Sequence, residues 1–233
     1  MTDPRKIYSY WLVGYDKMNL ENPYYYFHQA LSPKLCDDIV EHCSKQLEPA
    51  LVGVEGDIRQ FRKADENIQD KVLKKMQEKR VSDVAFFDDR WIYKEIQPFV
   101  DIANVKANWN FDWDWSEHIQ FAKYGLNQHY GWHCDSAPTP YKNVPDGMKG
   151  KIRKLSVTVC LSDPEDYDGG ELEFDLRNSQ DYEHDKSSKT ICSEIKQKGS
   201  IVVFPSFLWH RVKPVTKGTR YSLVMWNLGK PWR

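Results

Sequence analysis

Long apolar runs are missing from this 233-residue chain. Its longest, such as Ile201 to Phe204, are far too short to cross a bilayer, and Met1-Thr2-Asp3-Pro4-Arg5-Lys6 lacks the apolar core of a signal peptide. An excess of one charge is missing too: 33 Lys and Arg face 34 Asp and Glu, a formal net charge of -1. With no basic stripe, neither nucleic acid nor membrane is expected as a partner. The cysteines (36, 43, 134, 160 and 192) form no CxxC pair and are odd in number, which points to a reduced, cytoplasmic setting rather than a disulfide framework. Repeats, low-complexity tracts and long linkers are also absent. What is present, 40% hydrophobic and 14% aromatic residues, suits a single globular domain over residues 1–233.

Residues 24–31 read as a short aromatic strand. Ser32-Pro33 then opens a helix, Ser32 as N-cap and Pro33 at the first helical position, with Leu35, Cys36, Ile39, Val40 and Cys43 at helical spacing through about Gln46. Residues 64–80 are charged and weakly periodic, an expected solvent-exposed helix, and Asp89 to Ala103 reads as a second amphipathic helix. From Trp109 onward short β-rich stretches follow, at 155–161, 171–174, 201–204 and 221–226, bounded by Gly, Pro and Asp clusters. A helical part over about 1–108 followed by strands over about 109–229 predicts an α+β architecture ending in a β-sandwich or barrel.

The chemistry-bearing pattern is His133-Cys134-Asp135, then His210, then Arg220 ten residues further on. Residues two apart on an extended chain share a face, so His133 and Asp135 can hold one ion while Cys134 points away. With His210 they make an open two-imidazole, one-carboxylate set, which suits non-haem Fe(II) better than a closed structural zinc. Arg220 shares a face with Ser222, and a guanidinium clamps a carboxylate through two parallel charge-assisted bonds. A lone His-x-Asp is more often a pair of ordinary polar residues, and most arginines end in surface ion pairs. Here the apolar flanks of Arg220, namely Leu223, Val224 and Trp226, argue for the core.

The wider text is Tyr124-x-x-Asn127-x-x-Tyr130-x-x-His133-x-Asp135, Arg153-Lys154-Leu155-Ser156, Tyr167-Asp168-Gly169-Gly170-Glu171-Leu172, Phe204-Pro205-Ser206, His210-Arg211-Val212-x-Pro214-Val215-Thr216 and Gly218-x-Arg220. In this order over about residues 26–229 it resembles the Fe(II)- and 2-oxoglutarate-dependent dioxygenases of the prolyl-4-hydroxylase-like branch, PKHD-type hydroxylases included. The resemblance implies a double-stranded β-helix (jelly roll) flanked by N-terminal helices. It implies Fe(II), 2-oxoglutarate and O2 as cofactors, with ascorbate an optional addition, and His133, Asp135 and His210 as metal ligands. Arg220 and Tyr124 would bind the far carboxylate of 2-oxoglutarate. Leu172 replaces a threonine that supplies a further contact in some relatives, and Ser222 is the candidate to compensate. Asn127 stands where relatives often have Gly, and Asn tolerates the positive φ of that turn. Tyr130, Arg153 and Trp226 match substrate-pocket residues, with core packing or an ion pair as the plainer reading for each.

The implied reaction hydroxylates an unactivated C–H bond and releases succinate and CO2, with a prolyl residue of a peptide or protein as the first candidate substrate. A free amino acid or other small molecule is the alternative, and a non-catalytic metal-binding jelly-roll module is the non-enzymatic one. Asp135 argues against the related halogenases, which have a small residue there. Trp226, where alkylated-base demethylases carry a second arginine, argues against nucleic acid. Residues 53–66 and 136–151 are candidate substrate lids, and Arg177 to Lys198 reads as a surface loop. His129 is expected to be structural, as are His28, His42, His118 and His184, and the aromatics of 109–115 are expected in the core or a cleft wall.

Overall fold

Ser32 caps the first helix as its sequence predicts. Its Oγ accepts from the Leu35 N–H at 3.2 Å, and Pro33 opens the first turn. In the computed structural model, which describes residues 20–50, 77–176 and 188–232, this helix α1 (Pro33–Cys43) follows strand β1 (Tyr25–Phe27). Strands β2 (Glu48–Pro49), β3 (Arg80–Val81) and β4 (Asp83–Phe87) come next, ahead of helix α2 (Arg90–Lys106). The first part, expected to hold helices with one short strand at 24–31, therefore carries three further strands. Val84, Ala85 and Phe87 are buried and bind β4 into a sheet, a pattern too short to stand out before its partner strand is known. Residue 80, assigned by sequence to the end of a helix, begins β3, and residues 64–76 of that helix lie outside the described ones.

The remaining strands are β5 (Trp115–Ser116), β6 (Ile119–Tyr124), β7 (His129–His133), β8 (Ile152–Cys160), β9 (Tyr167–Gly169), β10 (Leu172–Asp175), β11 (Lys189–Ile191), β12 (Ile201–Pro205), β13 (Trp209–Val212), β14 (Val215–Gly218) and β15 (Arg220–Gly229). A larger sheet runs β1-β12-β8-β15-β6-β4-β2, with β5 also on β15, and a smaller one runs β11-β10-β13-β7-β3. Pairings are antiparallel, and from β6 onward the chain passes repeatedly from one sheet to the other, which makes a jelly roll. β11 belongs to the smaller sheet and Cys192 and Ile195 are buried, so the described end of segment 177–198 is not the plain surface loop expected of it; residues 177–187 lie outside the described ones.

Period-two alternation assigns the two faces of the larger sheet. Leu155, Val157 and Val159 of β8, with Leu223 and Met225 of β15, join one apolar cluster with Cys36, Ile39, Ile92, Ile96 and Val100 of the helices. Ser156, Thr158 and Cys160 point the other way, into the space between the sheets, and all are buried. Polar residues on a doubly buried strand mark the face that builds a site. The helix side is pure packing: Ile96→Ala, at a fully buried position, is expected to cost about 2–5 kcal/mol. Exposed Glu95→Ala should stay within about 0.5 kcal/mol, and urea midpoints of the two variants measure the contrast. No helix among the described residues is long and apolar enough to cross a membrane, and all five cysteines are free thiols.

Candidate metal and cosubstrate site

β7 ends on His133, whose Nδ1 lies 2.9 Å from the Gly131 carbonyl oxygen. That bond assigns the proton to Nδ1 and leaves the Nε2 lone pair free to ligate. His210 on β13 repeats the device, with Nδ1 2.9 Å from the Leu208 oxygen, and lies directly across the ladder from His133. Asp135 sits in a bend past the end of β7, not on the extended chain that the His-x-Asp spacing implies. Ser206 holds the bend in place: its carbonyl accepts from the Asp135 and Ser136 N–H groups at 2.8 and 2.9 Å. The Ser156 hydroxyl donates to Asp135 Oδ2 at 2.7 Å, and Ser206 Oγ lies 2.8 Å from Ser156 Oγ.

So held, the Asp135 carboxylate comes 3.7 Å from His133 Nε2 and 3.6 Å from His210 Nε2. Among the described residues no other group of three His, Cys, Asp or Glu side chains converges in this way. Burial, then the neighbouring His210 ring, holds His133 well below its ordinary pKa, so it stays neutral and able to ligate. For Asp135, burial pushes upward, but the two histidines, Arg153 and the Ser156 hydroxyl outweigh it and keep the carboxylate ionised. Two imidazoles and one carboxylate, with no fourth ligand from the described residues, fit an Fe(II)-type ion with open positions.

A bulge shapes the ligand face. His210 pairs with His133 but Val212 pairs with Tyr130, so β7 carries an extra residue at Gly131–Trp132. Tyr130, three residues before His133, thereby shares its face and stacks on its ring at 3.6 Å and 13°. His129, which a regular strand would place beside His133, is shifted away and contacts the Asn127 oxygen instead. Gly131 eases packing at the bulge, because a Cβ there would sit a tight 3.2 Å from the Lys79 oxygen. Asn127 takes the positive φ (62°) that the turn before β7 requires.

Arg220 is 2% exposed, and no carboxylate of the described residues pairs with it. It opens β15, with β14 lying between it and His210's strand β13. Its Nη1 donates to Ser222 Oγ at 3.3 Å, its guanidinium carbon lies 5.8 Å from the Tyr124 ring centre, and the cation lies close enough to Tyr167 to act on that phenol electrostatically. Burial pushes the Tyr167 phenol up to about 12, so it remains a neutral partner. Gly170 makes room, since a Cβ there would come 3.0 Å from Arg220 Cδ. One cavity is lined by His133, Asp135 and His210 and also by Arg220, Ser222 and Tyr124. A buried cation without a counterion costs several kcal/mol. Such a cation on the wall of a metal cavity suits an anionic ligand that reaches both.

Trp226 and Tyr130 line the same cavity, and Trp226 Nε1 is buried with no hydrogen-bond partner. Leu172 lines the cavity too. Arg153 stacks 3.8 Å over the Trp226 ring, and Glu117 holds its guanidinium (Nε to Oε1 2.8 Å), with the Tyr141 hydroxyl on the same oxygen at 3.0 Å. Glu117, Ser156, Thr158, Tyr167, Ser206 and Gln120 are contributors that the motif reading left without a role. The alternating polar positions of β8 and the Tyr167-Asp168-Gly169-Gly170 turn were the signals for some of them. A wider cleft of about 570 Å³ lies against the same stretch, lined by residues 131–138 and walled by Trp132 and Trp209. Residues 53–66 lie outside the described ones. Segment 136–151 is closed on itself by Tyr141 N–H to Lys151 O and Gly150 N–H to Tyr141 O bonds, 3.0 and 2.8 Å.

Comparison with known proteins agrees with this geometry. Residues 119–227 match the family profile of the 2OG-Fe(II) oxygenase superfamily. A PKHD-type hydroxylase of Alteromonas mediterranea is 35% identical over 106 residues, 46% of this chain and 41% of the relative. One of Nitrosomonas europaea is 39% identical over 101 residues, 43% and 38% of the two chains. The chain thus spans about two fifths of the length of these curated relatives. Among solved structures, a prolyl-4-hydroxylase of Pseudomonas putida aligns with a TM-score of 0.58 at 18% identity, covering 90% of this chain and 94% of that one. A Trichoplax adhaerens prolyl hydroxylase, in complex with a hypoxia inducible factor peptide fragment, aligns at 0.57 and 15%, covering 94% and 92%. These structures share the jelly-roll fold. The triad and the buried arginine fall within one segment, residues 119–227, and that segment is similar to the 2OG-Fe(II) oxygenase superfamily.

Proposed function

We propose that this chain is an Fe(II)- and 2-oxoglutarate-dependent dioxygenase that hydroxylates a C–H bond of a prolyl residue in a peptide or protein, releasing succinate and CO2. The observation that carries this reading is the buried Arg220, paired with no carboxylate of the described residues, on the wall of the cavity that holds the His133, Asp135 and His210 triad. Those three side chains would hold Fe(II), which with 2-oxoglutarate supplies the capacity to reduce O2 and oxidise an unactivated C–H bond.

The chain's own residues do the positioning. Arg220, Ser222 and Tyr124 offer a cation and hydroxyls to the far carboxylate, while Tyr167 steadies the guanidinium. Burial raises the Tyr130 phenol well above its usual range, so this ring, stacked on His133, stays an O–H donor. Trp226 lines the cavity with its N–H buried and unsatisfied, and Arg153, held by Glu117, stacks over its ring. The adjoining cleft is of a size that takes a small peptide segment. A prolyl substrate is supported by the relatives' names and by the peptide bound to the Trichoplax adhaerens neighbour.

Mass spectrometry of a panel of proline-containing peptides and free amino acids, incubated with Fe(II), 2-oxoglutarate and O2, is expected to show a +16 product on a peptide and one succinate per turnover. A +16 product on a free amino acid alone would move the substrate class. A folded, metal-loaded protein that consumes no 2-oxoglutarate across the panel would leave only a binding module.

A further inference from the structure

Gln120 of β6 lines the cavity and is 4% exposed, and the roles assigned above do not include it. Its neighbour Arg80, on β3, is a second buried arginine, 5% exposed and without a carboxylate partner among the described residues. Arg80 Nε donates to Ser82 Oγ at 2.8 Å and Nη1 donates to Gln120 Oε1 at 3.2 Å, while Nη2 is buried with no hydrogen-bond partner. Its guanidinium also lies 4.5 Å from the centre of the Tyr130 ring.

A guanidinium donates and never accepts. Arg80 therefore fixes the Gln120 amide with Oε1 toward itself, and the Nε2 end, with its two N–H donors, is turned away from it. The ladder shows which end of the cavity this serves. Tyr124 lies opposite Arg220, whereas Gln120 lies opposite Val224, four residues along β15 toward Trp226. Trp226 in turn lies opposite Ser156, whose hydroxyl holds Asp135. Gln120 is thus displaced from the Arg220 rung toward the metal ligands, and its face is shared with Tyr124 by the two-residue period.

We infer that Gln120 is a cosubstrate-binding residue that donates an N–H to the 2-oxo acid end of 2-oxoglutarate, and that Arg80 is the positioning residue that aims it. This rests on the cosubstrate reading above. Arg220 then senses one end of the dicarboxylate and Gln120 the other, so the cavity measures chain length as well as charge.

Calorimetry on Mn(II)-loaded protein, which binds without turnover, separates the two ends. Oxalate supplies the 2-oxo acid end alone. Gln120→Leu is expected to weaken both oxalate and 2-oxoglutarate by about 10- to 100-fold, the range of one hydrogen bond to a charged acceptor, with Mn(II) affinity unchanged. Gln120→Glu, which keeps the contact with Arg80 but aims a carboxylate oxygen at the ligand, should bind both more weakly still. Arg220→Met should weaken 2-oxoglutarate and spare oxalate. Arg80→Met should behave as Gln120→Leu does; should it fail to fold, the Gln120 variants decide. Wild-type affinity for both ligands in Gln120→Leu would overturn the inference while leaving the cosubstrate reading intact. Mn(II)-loaded wild type that binds no 2-oxoglutarate would overturn both.

Discussion

His133→Ala is expected to abolish the visible charge-transfer band that the wild-type protein develops when Fe(II) and 2-oxoglutarate are added without oxygen. The ring contributes one of three ligand atoms, and its Nδ1 bond to Gly131 and its stacking on Tyr130 hold it ready before any ion arrives. Loss of a supporting hydrogen bond around a metal typically costs about 10- to 100-fold in affinity, so removal of a ligand should exceed about 100-fold. Ser156→Ala, which leaves Asp135 in place without its hydroxyl donor, belongs to the milder class and calibrates the scale. Far-ultraviolet circular dichroism of the variant checks that the jelly roll survives. An unchanged band in His133→Ala, or no band in wild type, would remove the metal assignment.

Arg220→Met is expected to weaken 2-oxoglutarate by at least about 100-fold, the worth of roughly two charge-assisted hydrogen bonds. The same substitution should leave the ligand-free protein as stable as wild type or more so, by about 1–3 kcal/mol. The sign follows from pairing. Breaking a buried ion pair strands a charge and destabilises, but among the described residues Arg220 pairs with no carboxylate and meets Ser222, Tyr167 and Tyr124, so its removal relieves an uncompensated cation. Thermal denaturation with and without 2-oxoglutarate reads both effects at once. Saturating ligand should raise the wild-type melting temperature and leave the variant's unmoved. A variant that melts far earlier than wild type yet binds 2-oxoglutarate normally would make Arg220 a packing residue.

Local features were legible where the physics is local. The Ser32 cap and Pro33 start needed only neighbouring residues, and α2 begins at Arg90, within one residue of its expected start. β8, β10, β12 and β15 match the β-rich stretches to within a few residues, because alternation and bounding turns are properties of the strand itself. β4 was not legible, since five residues without strong turn signals gain their strand character from lying beside β6. The described part of segment 177–198 was misjudged for a related reason: its polar surroundings hide Cys192 and Ile195, which are buried only because β11 closes the sheet edge.

The chain's residues by themselves determined the donor set, two imidazoles, a carboxylate and a guanidinium in a recognisable order, because donor chemistry is a property of each side chain. Only the tertiary structure decided how they meet. The bulge at Gly131–Trp132 turns Tyr130 onto His133, Ser206 pins Asp135 across 71 positions, and Ser222 offers no charge to Arg220, which pairs with no carboxylate of the described residues. Such contacts join strands far apart in the chain, and their register is chosen by burial of the whole sheet, which no short run of residues encodes.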